Sequence, residues 1–274
     1  TGAEFKDFSE KEWIIGNTIE TKLKILFEEN SKRLKNYKIT INYGIKTGFN
    51  DAFVINEEQK TKLINKDPRN IDIIKPMLRG RDIRKFSLTF SGLWLINTHN
   101  GIKDRKIEPI NAQRDYLSVF EHLSNFQSEL VKRTDKGDHW TNLRNCAYLD
   151  DFLSPKIIWG ELSDKPKFTY DDKGFFLNNT IFMMTGERLK FILAILNSKA
   201  AEWYFNQIST TSGMGTNRWL KYKIEQLPIP NATPQQEQKI ELLVEYVLWA
   251  NANLQENPGP EARQRADYLE QIIN

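Results

Sequence analysis

The sequence predicts an α+β fold, because three hydrophobic patterns follow one another along the chain. Apolar residues first recur at helical spacing, then alternate with polar residues as in half-buried strands. Near the C terminus they return to helical spacing on both sides of a Pro-Gly-Pro break. The predicted architecture is a mixed sheet-and-helix body with an N-terminal helix and a C-terminal helical hairpin.

The first predicted element is a helix over residues 17–36. Its apolar residues, among them Leu23, Leu26 and Phe27, share one helical face, and Asn17 with Glu20 has the spacing of a capping box. This segment is short and contains no second element, so we expect residues 1–36 to form a helical connector.

The central part alternates between strand and helix patterns. Strands are predicted over 37–43, 53–55, 93–96, 156–162 and 181–184, and helices over 117–133 and 187–197. Two further strands, 167–170 and 175–177, flank an Asp-Asp-Lys-Gly turn and predict a hairpin with Gly174 in the left-handed region. Residues 37–230 are therefore expected to form an α+β domain.

The C-terminal part has the pattern of two helices. Thr233, Pro234 and Gln236 occupy the N-cap, first and third positions of a helix start, and an apolar stripe follows. Residues 257–260 interrupt the pattern before a second stripe, so residues 231–274 are predicted to form a helical hairpin.

Composition excludes several classes of protein. The chain has 274 residues and one cysteine, so it has no intrachain disulfide framework. Its apolar runs are shorter than a membrane span, and its polar N terminus has no signal-peptide pattern. These features predict a cytoplasmic protein with no membrane partner.

Charge is distributed unevenly. Residues 1–36 have seven basic and seven acidic side chains, whereas residues 225–274 have three basic and eight acidic ones, which leaves a net charge of +8 on residues 37–224. Such a distribution indicates a polyanionic partner for the central part and a different partner for the C-terminal part. An uneven but merely solvated surface is the alternative.

Catalytic motifs are missing from the sequence. His99, His122 and His139 are too scattered for a metal motif, and one cysteine cannot build a thiolate zinc site. The segment 213–215 begins like a dinucleotide fingerprint but has Arg218 at the third glycine position. The acidic pairs 150–151 and 171–172 are poorly spaced for magnesium. We therefore predict no catalytic residue and no metal ligand, with an independent nuclease as a minor alternative.

Two segments have compositions suited to phosphate or base contacts. Residues 75–85 contain five basic side chains and one acidic one, and Gly80 among them permits close approach. Residues 209–219 form a polar loop punctuated by glycine and closed by Arg218 and Trp219. We expect both segments to line one cleft that faces DNA, the alternatives being a solvated basic loop and a mobile surface loop.

Segments 44–55, 75–83, 176–182, 195–198 and 227–238 together resemble the TaqI-like C-terminal specificity domain, and the resemblance extends over about residues 37–250. That family supplies the target-recognition part of adenine-specific DNA methyltransferases and of fused type II restriction-modification enzymes. The resemblance implies sequence-specific recognition of double-stranded DNA by a chain without catalytic activity of its own. It also implies that S-adenosylmethionine is bound by an N-terminal methyltransferase domain of the same protein, absent from this sequence.

The charge pattern, the two polar segments and the resemblance together predict a set of DNA-binding residues. They are Lys46, Thr47, Arg79, Arg81, Arg84, Lys85, Ser212, Thr216, Asn217, Arg218, Trp219 and Lys221. The loop at 212–213 and the segment 227–238 also resemble type I restriction specificity subunits. The alternative function is therefore a single-domain relative of those subunits that recruits separate catalytic subunits.

Overall fold

The structure is a computed structural model that describes residues 8–9, 12–13, 18–209 and 216–273. The α-helices are α1 Thr18–Glu29, α2 Asn50–Phe53, α3 Glu57–Lys66, α4 Ala112–Asp115, α5 Leu117–Ser124, α6 Gln127–Lys132, α7 Leu189–Leu196, α8 Lys199–Ile208, α9 Lys221–Ile224, α10 Pro234–Glu256 and α11 Pro260–Ile273. Short 3-10 turns cover Leu34–Asn36, Pro68–Asp72, Gly80–Asp82, Lys103–Arg105 and Leu149–Phe152.

The described strands are two to six residues long. They are β1 Phe8–Ser9, β2 Glu12–Trp13, β3 Ser31–Arg33, β4 Ile39–Tyr43, β5 Val54–Asn56, β6 Ile74–Leu78, β7 Ile83–Arg84, β8 Ser87–Leu88, β9 Leu93–Ile96, β10 Lys156–Gly160, β11 Leu162–Ser163, β12 Phe168–Asp171, β13 Phe176–Leu177, β14 Ile181–Gly186, β15 Asn217–Arg218 and β16 Pro228–Pro230. Helices and strands are interspersed along the chain, which confirms the predicted α+β class.

The chain divides into two compact units. The central unit comprises Thr40–Ser163 and Lys167–Leu189, and the terminal unit comprises the described residues up to Ile39, Asp164–Pro166 and those from Lys190 onward. The predicted domain boundaries at residues 36 and 230 divide the chain into consecutive segments. Each compact unit instead combines segments that are distant in sequence, and the predicted boundaries stay a prediction.

Two four-stranded sheets build the central unit. One has the order β12-β10-β14-β4, with antiparallel pairs such as Ile158 opposite Met183. The other has the order β13-β6-β9-β5, in which β13 runs parallel to β6 and places Leu177 opposite Leu78. Ile158, Met183, Leu177 and Leu78 are all fully buried and belong to one hydrophobic cluster. The cluster therefore contains side chains from both sheets.

The predicted hairpin between 167–170 and 175–177 is wrong in its pairing. The two strands form, but β12 pairs with β10 and β13 pairs with β6 in the other sheet. Gly174 has the predicted left-handed conformation, with φ of 75°. The Asp171 carboxylate accepts the backbone N–H groups of Lys173 and Phe175, at 2.9 and 3.1 Å, and so shapes the turn between strands that belong to different sheets.

The observed N-terminal helix is shorter than the predicted helix over residues 17–36. α1 ends at Glu29, and β3 and a 3-10 turn replace its last third because β3 pairs with β16, placing Arg33 opposite Pro228. Asn17, the predicted cap, lies outside the described residues. A tertiary strand pairing has therefore overridden a local helical preference.

The C-terminal helical hairpin is confirmed. The Thr233 hydroxyl accepts the Gln236 N–H and the Gln236 side chain accepts the Thr233 N–H, at 3.3 and 2.8 Å, which forms the predicted capping box. Val244 and Val247 of α10 and Ala266 of α11 are buried. Within the part of the chain that the structure describes, no helix has the length and apolar character needed to cross a membrane.

Candidate nucleic-acid interface

The basic segment after β6 forms a turn and a small hairpin. The chain leaves β6 at Leu78, makes the 3-10 turn Gly80–Asp82 and then pairs β7 with β8, so that Arg84 lies opposite Ser87. Phe86 occupies the hairpin turn with φ of 54°, is 1% exposed and donates its N–H to Phe168 O at 2.9 Å. The buried ring anchors the hairpin, which has Arg84 on its exposed part.

The basic side chains of this segment differ in their environments. Arg81 and Arg84 are exposed, and Lys85 is half-buried with Nζ 5.6 Å from the Phe86 ring centre. The Arg79 side chain is 29% exposed and is held by Asp82 and Ser91. Three guanidinium groups therefore lie within six residues on one short turn and hairpin of the central unit, a charge density suited to phosphate.

A second polar segment adjoins this turn. Because β13 and β6 are parallel neighbours, residues 178–180 and 79–81 both follow the carboxyl ends of these strands. The Asn178 N–H donates to Leu78 O at 3.0 Å, and a Cβ on Gly80 would lie 3.6 Å from Thr180 Oγ1. Asn179 and Thr180 are exposed. We name Arg79, Gly80, Arg81, Asn179 and Thr180 the β6-end surface.

Asn179 and Thr180 were missed as candidate contacts. The segment 176–182 carries part of the family resemblance, but nothing in its local pattern indicates proximity to Arg79. Only the parallel pairing of β6 and β13 reveals that proximity.

The predicted contacts at residues 46 and 47 differ in how exposed their side chains are. Lys46 is exposed, with Nζ 2.8 Å from Asp135 Oδ2, and this hydrogen bond is the main reason that the pKa of Asp135 lies below its usual range. Thr47 is 3% exposed, and its hydroxyl donates to Asn50 Oδ1 at 2.6 Å. Its carbonyl accepts a hydrogen bond from the buried Arg133 guanidinium. The buried Thr47 side chain supports the loop through these bonds, and its predicted contact with DNA stays a prediction.

The candidate residues of the terminal unit also differ in how exposed their side chains are. Arg218 and Lys221 are exposed and Thr216 is half-buried, whereas Ser212 lies outside the described residues. Asn217 is 5% exposed and donates to Asn206 Oδ1 at 3.0 Å. This bond ties Asn217 to α8, and its predicted contact with DNA stays a prediction.

Trp219 is also buried, and its predicted contact with DNA likewise stays a prediction. It is 1% exposed and stacks on Phe205, with ring centres 3.8 Å apart and planes inclined by 13°. The indole anchors the segment that has Arg218 on its surface. Tyr222, by contrast, is 60% exposed between Lys221 and Lys223 of α9, and an isolated Lys-Tyr-Lys has no distinctive pattern in the sequence.

Three of the four acidic side chains in the pairs 150–151 and 171–172 contact a basic or polar side chain. Asp150 pairs with Arg105 at 2.5 Å, Asp151 accepts from Asn42 at 2.8 Å, and Asp171 pairs with buried Lys156 at 2.7 Å. Over the described ranges, no group of three or more His, Cys, Asp or Glu side chains is arranged to hold a metal ion.

One family model matches the chain, and one curated relative is similar over most of its length. The TaqI-like C-terminal specificity domain matches residues 75–229, which is more than half of the chain. The type II methyltransferase M.MjaIV of Methanocaldococcus jannaschii is 22% identical over 236 residues, covering 84% of this chain and 76% of the relative.

A solved structure shares the fold. The structure of the type IIL restriction-modification enzyme MmeI in complex with DNA matches 88% of this chain with a TM-score of 0.56 at 12% identity. The present chain spans only about a third of that enzyme's length, 33%. On the family match over residues 75–229, this chain belongs to the TaqI-like C-terminal specificity domain family, and its general role is recognition of a DNA target.

Proposed function

We propose that this chain is the target-recognition domain of an adenine-specific DNA methyltransferase or a type II restriction-modification enzyme, and that it binds double-stranded DNA in a sequence-specific manner. The observation that carries the proposal is the family match, because it spans the arginine-rich turn after β6 and the segment with Arg218. The exposure of Arg81, Arg84 and Arg218 supports it, since phosphate contacts require accessible cations.

The proposal assigns chemistry to a separate domain. A methyltransferase domain of the same protein would bind S-adenosylmethionine and extrude the target base, while this chain contacts neighbouring base pairs. The MmeI structure supports this division of labour, because it contains DNA and this chain spans only 33% of that enzyme.

A second candidate function has one specific observation in its favour. Leu242, Tyr246 and Trp249 lie at helical spacing along α10 and are 49%, 53% and 53% exposed. Such an apolar stripe suits contact with another protein, as in a single-domain relative of type I specificity subunits that recruits separate catalytic subunits. The gene sequence upstream of Thr1 distinguishes the two, because the first proposal requires a methyltransferase motif in the same reading frame.

Titration of a labelled duplex at several salt concentrations tests DNA binding. With four to six phosphate contacts, affinity should fall by roughly 10² to 10³ between 50 and 200 mM salt. Arg84→Ala should weaken binding and reduce the salt slope by about one. Lys62→Ala, which removes one exposed charge on α3, is the matched control and should change little. Binding that is insensitive to salt, or absent at low salt, contradicts the proposal.

A further inference from the structure

Arg79 differs from the neighbouring arginines in how its guanidinium is held. Nη2 donates to Ser91 Oγ at 3.0 Å, and the buried Nε lies 3.5 Å from Asp82 Oδ2, an ion-pair contact without a hydrogen bond. The Ser91 hydroxyl in turn donates to the same carboxylate oxygen at 3.3 Å. The Arg79 side chain nevertheless remains 29% exposed. One edge of the guanidinium is therefore anchored while part of the group stays accessible.

The anchor itself is rigidly placed. The Asp82 side chain is 7% exposed and accepts the backbone N–H of Arg79 at 2.8 Å. This bond closes the turn Gly80–Asp82, so the backbone that follows β6 sets the position of the carboxylate. The carboxylate in turn sets the orientation of Arg79.

Arg81 and Arg84 are exposed, and within the described residues neither is paired with a carboxylate. Arg84 Nη1 donates to backbone carbonyl groups of its own small hairpin, Arg81 O at 2.6 Å and Ile83 O at 2.9 Å. An arginine held by a buried carboxylate has already lost part of the side-chain entropy that an exposed arginine loses when it forks onto a base. A phosphate contact tolerates many orientations and so does not need a fixed fork.

The surface beside Arg79 also permits close approach. Gly80 presents no side chain, and the neighbouring groups on the β6-end surface are the short polar side chains Asn179 and Thr180. A base edge requires this combination of a fixed donor fork and an uncrowded backbone, because its acceptors must come within hydrogen-bond distance of the guanidinium.

We infer that Arg79 determines specificity by forking onto the O6 and N7 acceptors of a guanine, with Asp82 and Ser91 as positioning residues and Arg81 and Arg84 as phosphate contacts. This inference rests on the proposed function, since it assigns roles within that DNA-binding surface. It commits the recognised sequence to at least one G·C pair.

Selection from a library of duplexes with a randomised central segment tests the assignment. The full chain, Arg79→Lys, Ser91→Ala and Arg81→Lys are each used to enrich bound duplexes, which are then sequenced. Lysine keeps the charge but removes the fork, so Arg79→Lys should relax one G·C position by about 5- to 150-fold and leave the other positions intact. Ser91→Ala should relax the same position more weakly, and Arg81→Lys, the matched control, should relax none.

Other outcomes of the selection distinguish failure of this inference from failure of the proposed function. If Arg79→Lys enriches the wild-type sequence with undiminished discrimination, or loses affinity uniformly as a phosphate contact would, the inference is wrong while the proposed function stands. If the wild-type chain binds duplex DNA but enriches no sequence, both fail. Melting temperatures of all variants are measured in parallel, and Ser91→Ala carries the test if Arg79→Lys does not fold.

Discussion

At the scale of single residues, Lys156 and Asp171 form a buried ion pair within the central unit. Both side chains are 0% exposed and their charged atoms lie 2.7 Å apart. Burial lowers the pKa of Lys156, and the neighbouring Asp171 carboxylate opposes that shift. Lys156 also donates to Phe152 O at 2.5 Å, so the pair connects β10, β12 and the turn before β10.

We expect Asp171→Asn to destabilise the chain by about 3–5 kcal/mol, because it leaves the Lys156 ammonium buried without a counter-charge. The double variant Lys156→Met with Asp171→Asn should cost less than the sum of the single variants, since no charge is then left unpaired. Lys62→Met, in the exposed pair with Glu58, is the control and should change stability by less than about 0.5 kcal/mol. Urea unfolding measures the stability of Asp171→Asn, Lys156→Met, the double variant and Lys62→Met. If the double variant loses the sum of the two single losses, Lys156 and Asp171 do not stabilise each other.

At the scale of elements, the end of β4 packs against the turn that precedes β14. Gly44 donates its N–H to Ile181 O at 2.8 Å, and Ile45 donates to Leu177 O at 2.7 Å. A Cβ at Gly44 would collide with the carbonyl oxygen of Asn178. Asn178 begins the polar segment that continues into Asn179 and Thr180, so this close approach positions part of the β6-end surface.

Gly44→Ala should therefore lower the free energy of unfolding by about 1–3 kcal/mol, because the atom in its path belongs to backbone and cannot rotate aside. Gly259→Ala is the matched control, since a Cβ there meets no atom within 4 Å. Urea unfolding gives both values. An unchanged stability for Gly44→Ala would mean that the strand and the turn separate more easily than their two hydrogen bonds indicate.

At the scale of the whole molecule, the proposed function assigns catalysis to a domain outside this sequence. We expect the purified chain to incorporate no methyl groups and to cleave no DNA when it is incubated with S-adenosylmethionine, magnesium and a mixed-sequence plasmid. The test is informative because the relative M.MjaIV, named a methyltransferase, is matched over 76% of its own length. Activity that disappears when a residue of this chain is changed would show that the chain contains a catalytic site.

Local patterns predicted much of the fold correctly. The capping box at Thr233, the break at 257–260 and the strands at 93–96 and 181–184 depend on neighbours in sequence, and all are present. The pairing of β12 and β13 was predicted wrongly because β12 pairs with β10, about ten residues before it, and β13 pairs with β6, about a hundred residues before it. The shared DNA-facing cleft stays a prediction, as its two segments fall in different compact units.

The α+β class, the segregation of charge and the family could be inferred from the sequence, since each follows from composition, periodicity or motif order. The accessibility of the polar side chains is set by the tertiary structure. That structure buried Thr47, Asn217 and Trp219, left Arg81 and Arg218 exposed, and fixed Arg79 against Asp82 and Ser91. The physical reason is that burial and side-chain anchoring depend on groups brought together by folding, which spacing along the chain does not specify.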